Sequence, residues 1–169
     1  MKIPGVLAVI CAFLSLGTIR LRAMKEEISC TKALIAGLFV LKSELAARLC
    51  SMQELLHKAS QASSGEAAAF FQEAADRLED PSEAAFSDLW SALCRSMLPS
   101  LSETLRTELE TLGRSLGRFD LDDQLAACDR MLSAADRKLL EITRRYPEQR
   151  RLTMTLCGCA ASFLCLLIL

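Results

Sequence analysis

Hydrophobic residues are distributed along this chain in two distinct patterns. At each end they run without interruption: Ile3 to Ile19 and Leu152 to Leu169 contain no charged side chain. As helices rising about 1.5 Å per residue, these runs measure roughly 25 and 27 Å, close to the hydrocarbon thickness of a bilayer. Each predicts a membrane span. Arg20, Arg22 and Lys25 follow the first run, and Arg144, Arg145, Arg150 and Arg151 precede the second. Basic collars mark the cytoplasmic side of a span, so both collars predict a hairpin topology with residues 20–151 in the cytoplasm and the short ends outside. A cleaved signal peptide would carry its positive charge ahead of the apolar run. Here Lys2 alone precedes it, and Ile10 before Cys11 breaks the lipoprotein pattern.

Between the ends the apolar positions recur at steps of three and four, the period of a helix with one buried face. Leu34, Leu38, Leu41, Leu45, Leu49, Met52 and Leu56 predict one long helix that continues the first span and ends near Ala59. Ser63 with Glu66 fits a capping box opening a short helix whose apolar side is Ala67, Phe70, Phe71, Ala74 and Leu78. Asp80, Pro81 and Glu83 form the next start signal, for a helix carrying Phe86, Leu89, Trp90, Leu93 and Met97. Pro99 stops it. Ser100 with Glu103 starts a helix with Leu105, Leu109, Leu112 and Leu116 on one face. Gly117 fits a stop and Asp120 a cap. From there Leu121, Leu125, Cys128, Leu132, Ala135, Leu139, Ile142 and Tyr146 form a packing seam that reaches Pro147. No stretch alternates as a strand does. The expected fold is all-α, a cytoplasmic bundle of about five to six helices flanked by transmembrane helices at 3–19 and 152–169.

Composition narrows the function. The formal net charge is -1, and basic and acidic residues are mixed through the middle of the chain. That balance, with few aromatics for base stacking, argues against a nucleic-acid partner. The chain has eight cysteines but a single histidine, His57. A zinc site needs two close ligand pairs, and the one close pair, Cys157 and Cys159, lies inside the apolar C-terminal run. All eight cysteines are therefore expected to act as small packing residues, with no metal and no cofactor. No nucleophile and base pair, no phosphate loop and no facing carboxylates suggest catalysis: the adjacent pairs Glu26-Glu27 and Asp122-Asp123 point to different sides of a helix.

Gly113 is the interior oddity. A glycine inside a helix costs about 1 kcal/mol relative to alanine, which calls for compensation such as the close approach of another backbone. The turn around it serves either a tight helix crossing or a partner. Its pattern, Leu112-Gly113-x-x-Leu116-Gly117-x-x-Asp120-x-x-x-Gln124, resembles the stage III sporulation protein AB family of endospore-forming bacteria. Leu41-x-x-Glu44-Leu45, and Leu156 with Gly158 in the terminal run, extend the resemblance over essentially the whole chain. It implies a component of the mother-cell half of the channel that joins mother cell and forespore. It also implies a soluble domain similar to the cytoplasmic domain of the inner-membrane platform proteins of type II secretion and type IV pilus machines. Implied partners are the membrane, a secretion-type ATPase (stage III sporulation protein AA) and other stage III sporulation membrane proteins, with no small-molecule substrate. Gly113, Gly117, Asp120 and Gln124 are the candidate partner-binding residues. The competing readings are a platform protein of an ordinary secretion or pilus system, and a membrane enzyme or metal handler using the cysteines.

Overall fold

The computed structural model describes residues 3–47, 50–78, 86–116 and 120–168, giving the backbone alone for 3–17, 154, 157, 158 and 160–168. Among the described residues six helices follow one another: α1 (Ile3–Ala47), α2 (Met52–Ala62), α3 (Gly65–Arg77), α4 (Phe86–Met97), α5 (Glu103–Leu116) and α6 (Leu121–Ile168). Among the described residues there is no strand. Contacts group the chain into two units, Glu27–Leu140 and a second made of Met1–Glu26 with Glu141–Leu169.

In the first unit one continuous core receives side chains from all six helices, including Leu34, Leu38 and Leu41 of α1 and Cys128, Met131 and Ala135 of α6. Burying a leucine or phenylalanine of this kind is worth about 1.5–3 kcal/mol. Trp90, Phe70 and Phe71 are its largest fully buried members. The two phenylalanines meet Trp90 with ring centroids 4.8 and 6.3 Å away. Gly37 makes room for this group: a Cβ there would collide with Phe71 and with the Ser63 hydroxyl.

The long helix expected to reach Ala59 instead ends at Ala47, and a separate helix starts at Met52. The heptad-like pattern continues across this break, but Ser51 takes an extended conformation and its hydroxyl accepts a hydrogen bond from the Glu54 backbone N–H at 3.3 Å. That N-cap ends one helix phase and opens another. The capping box expected at Ser63 and Glu66 is also rearranged. Ser63 Oγ donates to the Ala59 carbonyl, Ser64 occupies the cap position, and Glu66 reaches across the unit to accept from the Ser100 hydroxyl at 2.7 Å and the Ser100 N–H at 3.3 Å. With Ser100 committed in this way, α5 begins at Glu103 rather than beside Ser100. Asp80, Pro81, Glu83 and Gly117 lie outside the described residues.

The buried face of α6 is turned slightly from the predicted seam. Gln124, Ala127, Cys128, Met131 and Ala135 are buried, while Leu121, Leu125 and Leu132 are only partly so. A pattern of leucines misplaces the face because Gln124 is drawn inward by a hydrogen bond and leucines fill its flanks.

The second unit contains the outer parts of α1 and α6, both helical. The helix α6 runs through Pro147, where the predicted seam stops. Proline lacks the N–H that would bond the Thr143 carbonyl, and both residues are exposed. Among the described residues no helix is long and apolar enough to cross a membrane. Most of the two uncharged runs, 3–19 and 152–169, falls on residues whose side chains lie outside those described.

Candidate partner-binding turn

At Gly113 the helix is packed against one indole. Trp90, from α4, packs against α5 where Gly113 has no side chain, and a Cβ at Gly113 would fall 2.8 Å from the indole Nε1 and nearer still to Cδ1 and Cγ. The Nε1–H donates to the Leu109 carbonyl at 2.8 Å, one helical turn before Gly113. Phe86 covers the indole with its centroid 5.5 Å away. The compensation for a mid-helix glycine is thus an aromatic ring, where the sequence suggested another backbone.

Gln124 is buried, and its side-chain amide donates to the Leu116 carbonyl at 3.2 Å. This bond satisfies one of the orphan carbonyls at the end of α5. Asp120 is exposed and caps α6: its Oδ1 accepts from the Asp122 N–H at 3.0 Å. Gln124 and Gly113 are therefore buried, whereas Asp120 is exposed. Beside it Asp122 and Asp123 are also exposed, giving an acidic edge at the positive end of the α6 dipole.

An ion pair and a pair of arginine-to-backbone hydrogen bonds frame this core. Arg95 of α4 grips Glu110 of α5 through both carboxylate oxygens, at 2.8 and 3.3 Å. The Arg95 hydrogen bond holds the Glu110 carboxyl below the ordinary carboxylate range, against the opposing pull of desolvation. Arg106 donates to the Leu98 and Leu101 carbonyls at 3.0 Å each, fastening the α4–α5 loop.

A second polar group joins α1 to α2. Lys58 Nζ donates to Glu44 Oε2 at 2.8 Å and to Cys50 Sγ at 3.0 Å, and the Cys50 thiol donates to Glu44 at 3.2 Å. Lys58 lowers the Glu44 pKa through its hydrogen bond, and Cys50 and Glu44 raise that of Lys58. Cys50, expected to be a packing residue, is instead a half-buried member of a hydrogen-bonded triad. The sequence signal was available: Glu44, Glu54 and Lys58 flank a break in the helix. Cys30, Cys94 and Cys128 are buried as expected. Burial pushes each of these three thiols up to about 12, assisted in Cys30 by the neighbouring Glu66 and Glu27 carboxylates. Thiols so held are poor metal ligands and nucleophiles. Among the described residues no group of three or more potential metal ligands occurs. His57 is exposed on α2.

The turn, the Leu41–Glu44 segment and the terminal run are the places where the sequence resembles a known family, and the family model for stage III sporulation protein AB matches residues 2–169. The chain belongs to that family. No curated protein and no solved structure matches it. Membership in the stage III sporulation protein AB family gives the chain a role in sporulation.

Proposed function

We propose that this protein is a membrane-anchored platform component of the channel between mother cell and forespore, and that it links a cytoplasmic secretion-type ATPase to the membrane parts of that channel. In this reading residues 3–19 and 152–169 span the mother-cell membrane facing the forespore. Residues 20–151 form the cytoplasmic domain. The supporting observation is that the helices entering the core first and last, α1 and α6, are also the ones that carry the two uncharged runs. A load on the bundle then has two helical routes to the bilayer. Other stage III sporulation membrane proteins are the neighbours at the membrane.

Within the candidate turn, the exposed edge Asp120, Asp122 and Asp123 is the part that meets the ATPase, and Gly113 and Gln124 hold that edge in place. The test is co-purification of stage III sporulation protein AA with the detergent-solubilised full chain. Asp120→Ala combined with Asp123→Asn should reduce recovery of the ATPase at least about tenfold, while circular dichroism stays unchanged. Undiminished recovery would remove this edge as the contact. A reporter fused near Ser100 that proved active outside the cytoplasm would overturn the topology.

A further inference from the structure

The charges of this chain are segregated between its two units. Residues 1–26 and 141–169 hold eight Lys and Arg against three Asp and Glu, a surplus of five positive charges. Residues 27–140 hold 12 against 18, an excess of six negative charges. The near-zero net charge of the whole chain conceals this.

Within the basic unit the surplus has a local focus. Tyr146, Pro147, Arg150, Arg151 and Thr155 line a cleft of about 500 Å³. Tyr146 and Arg150 lie one turn apart on α6, as do Pro147, Arg151 and Thr155. Two parallel rows of side chains thus flank the cleft. The Thr155 hydroxyl is turned back to the Arg151 carbonyl at 2.9 Å, leaving its lone pairs and the two guanidinium groups as the polar surface. Arg145 is paired with Glu141 at 3.0 Å. Among the described residues, Arg150 and Arg151 have no such counter-ion. Both are exposed, at the boundary where α6 passes into the uncharged run.

We infer that this cleft binds the phosphate of an anionic phospholipid headgroup. Guanidinium groups present planar forks that match phosphate oxygens. A tyrosine beside them suits the headgroup layer, with its ring toward the apolar side and its hydroxyl toward the phosphate. Basic pockets next to a span on the cytoplasmic side are where anionic lipids are held. Arg20, Arg22 and Lys25, exposed in the same unit, add to the attraction. The inference rests on the membrane reading given above and adds a lipid preference to it.

Tyr146 is the only tyrosine in the chain, so incorporated 3-fluorotyrosine gives a single fluorine resonance at the cleft. The full chain is placed in phosphatidylcholine nanodiscs containing increasing fractions of phosphatidylglycerol. The resonance should move with phosphatidylglycerol and stay fixed in phosphatidylcholine alone. In Arg150→Gln/Arg151→Gln the half-saturating fraction should rise about thirty-fold, from the two guanidinium charges removed at the cleft. Arg144→Gln/Arg145→Gln removes the same charge outside the cleft and should change it less than about threefold. Equal losses in the two double variants would reduce the effect to diffuse attraction and overturn the site. A full shift produced by inorganic phosphate in phosphatidylcholine discs would overturn the lipid assignment. Co-elution with the discs reads the membrane association separately: a protein that elutes without them sinks the membrane reading, whereas one that stays bound with an unresponsive resonance sinks the cleft alone.

Discussion

Gly113→Ala tests the Trp90 contact directly. Alanine normally strengthens a helix interior by about 1 kcal/mol over glycine. Here the added methyl would sit inside the indole, 2.8 Å from Nε1 and closer to two ring carbons. The indole has no room to retreat: Trp90 is fully buried, Phe70 lies edge-on at 4.8 Å and Phe86 at 5.5 Å. Overpacking of this type costs about 1–3 kcal/mol. Pulling Nε1 off the Leu109 carbonyl leaves a buried donor unmet, at roughly 1–3 kcal/mol more. Set against the helix gain, the net is a loss of about 3 kcal/mol. At roughly 4 °C per kcal/mol for a domain of this size, the melting temperature should fall about 12 °C. The assay is urea and thermal unfolding of the full chain in mild detergent, followed by helical circular dichroism, alone and in a cycle with Trp90→Leu. In the Trp90→Leu background the same Gly113→Ala change should be neutral or stabilising. If Gly113→Ala raised the stability of the otherwise native chain, the claim that the glycine exists to seat the indole would be refuted.

Other outcomes follow from particular contacts. Ser51→Ala should cost about 1 kcal/mol by removing the α2 N-cap, seen as a lower urea midpoint; Ser63→Ala should not weaken the start of α3, whose N-cap position belongs to Ser64. Glu44 and Glu110 are both held below their ordinary 4.5 by hydrogen bonds from Lys58 and Arg95. For depressed carboxylates the stabilisation is present above about pH 4.5 and disappears as pH falls through the lowered native value. Urea midpoints should therefore drop on acidification below that pH, and Glu44→Gln or Glu110→Gln should flatten the drop. In native protein at pH 8, maleimide should label the half-buried Cys50 well before Cys30, Cys94 and Cys128, whose thiols are buried and pushed up to about 12. Similar rates for all four, read by mass spectrometry, would contradict the packing described.

The sequence announced the helices well because each is amphipathic on its own account: Leu105, Leu109, Leu112 and Leu116 define α5 without reference to any neighbour. It failed where a polar side chain serves a distant element. Glu66 reads as the far half of a local capping box, yet it bonds Ser100, 34 residues away. Nothing in local periodicity distinguishes those two fates. Across 47–52 the apolar spacing stays in phase, so the break there is visible only in the Ser51-x-x-Glu54 pair. At the candidate turn the special position was legible as a glycine where a helix tolerates it badly, but its partner was not, since Trp90 lies on another helix. Gln124 was legible as part of a motif, and its inward direction became evident only with the Leu116 carbonyl in place.

The first and last helices of the core are fastened by Lys42 and Asp129, 87 residues apart in the chain. At roughly 5–20 residues per second of translation, Asp129 is synthesised roughly 4–17 s after Lys42. Throughout that interval the inner face of α1, with Leu34, Leu38 and Leu41, waits for the strip of α6 that shares its core. The core that α1 shares with α6 is therefore complete only after translation has passed its last helix.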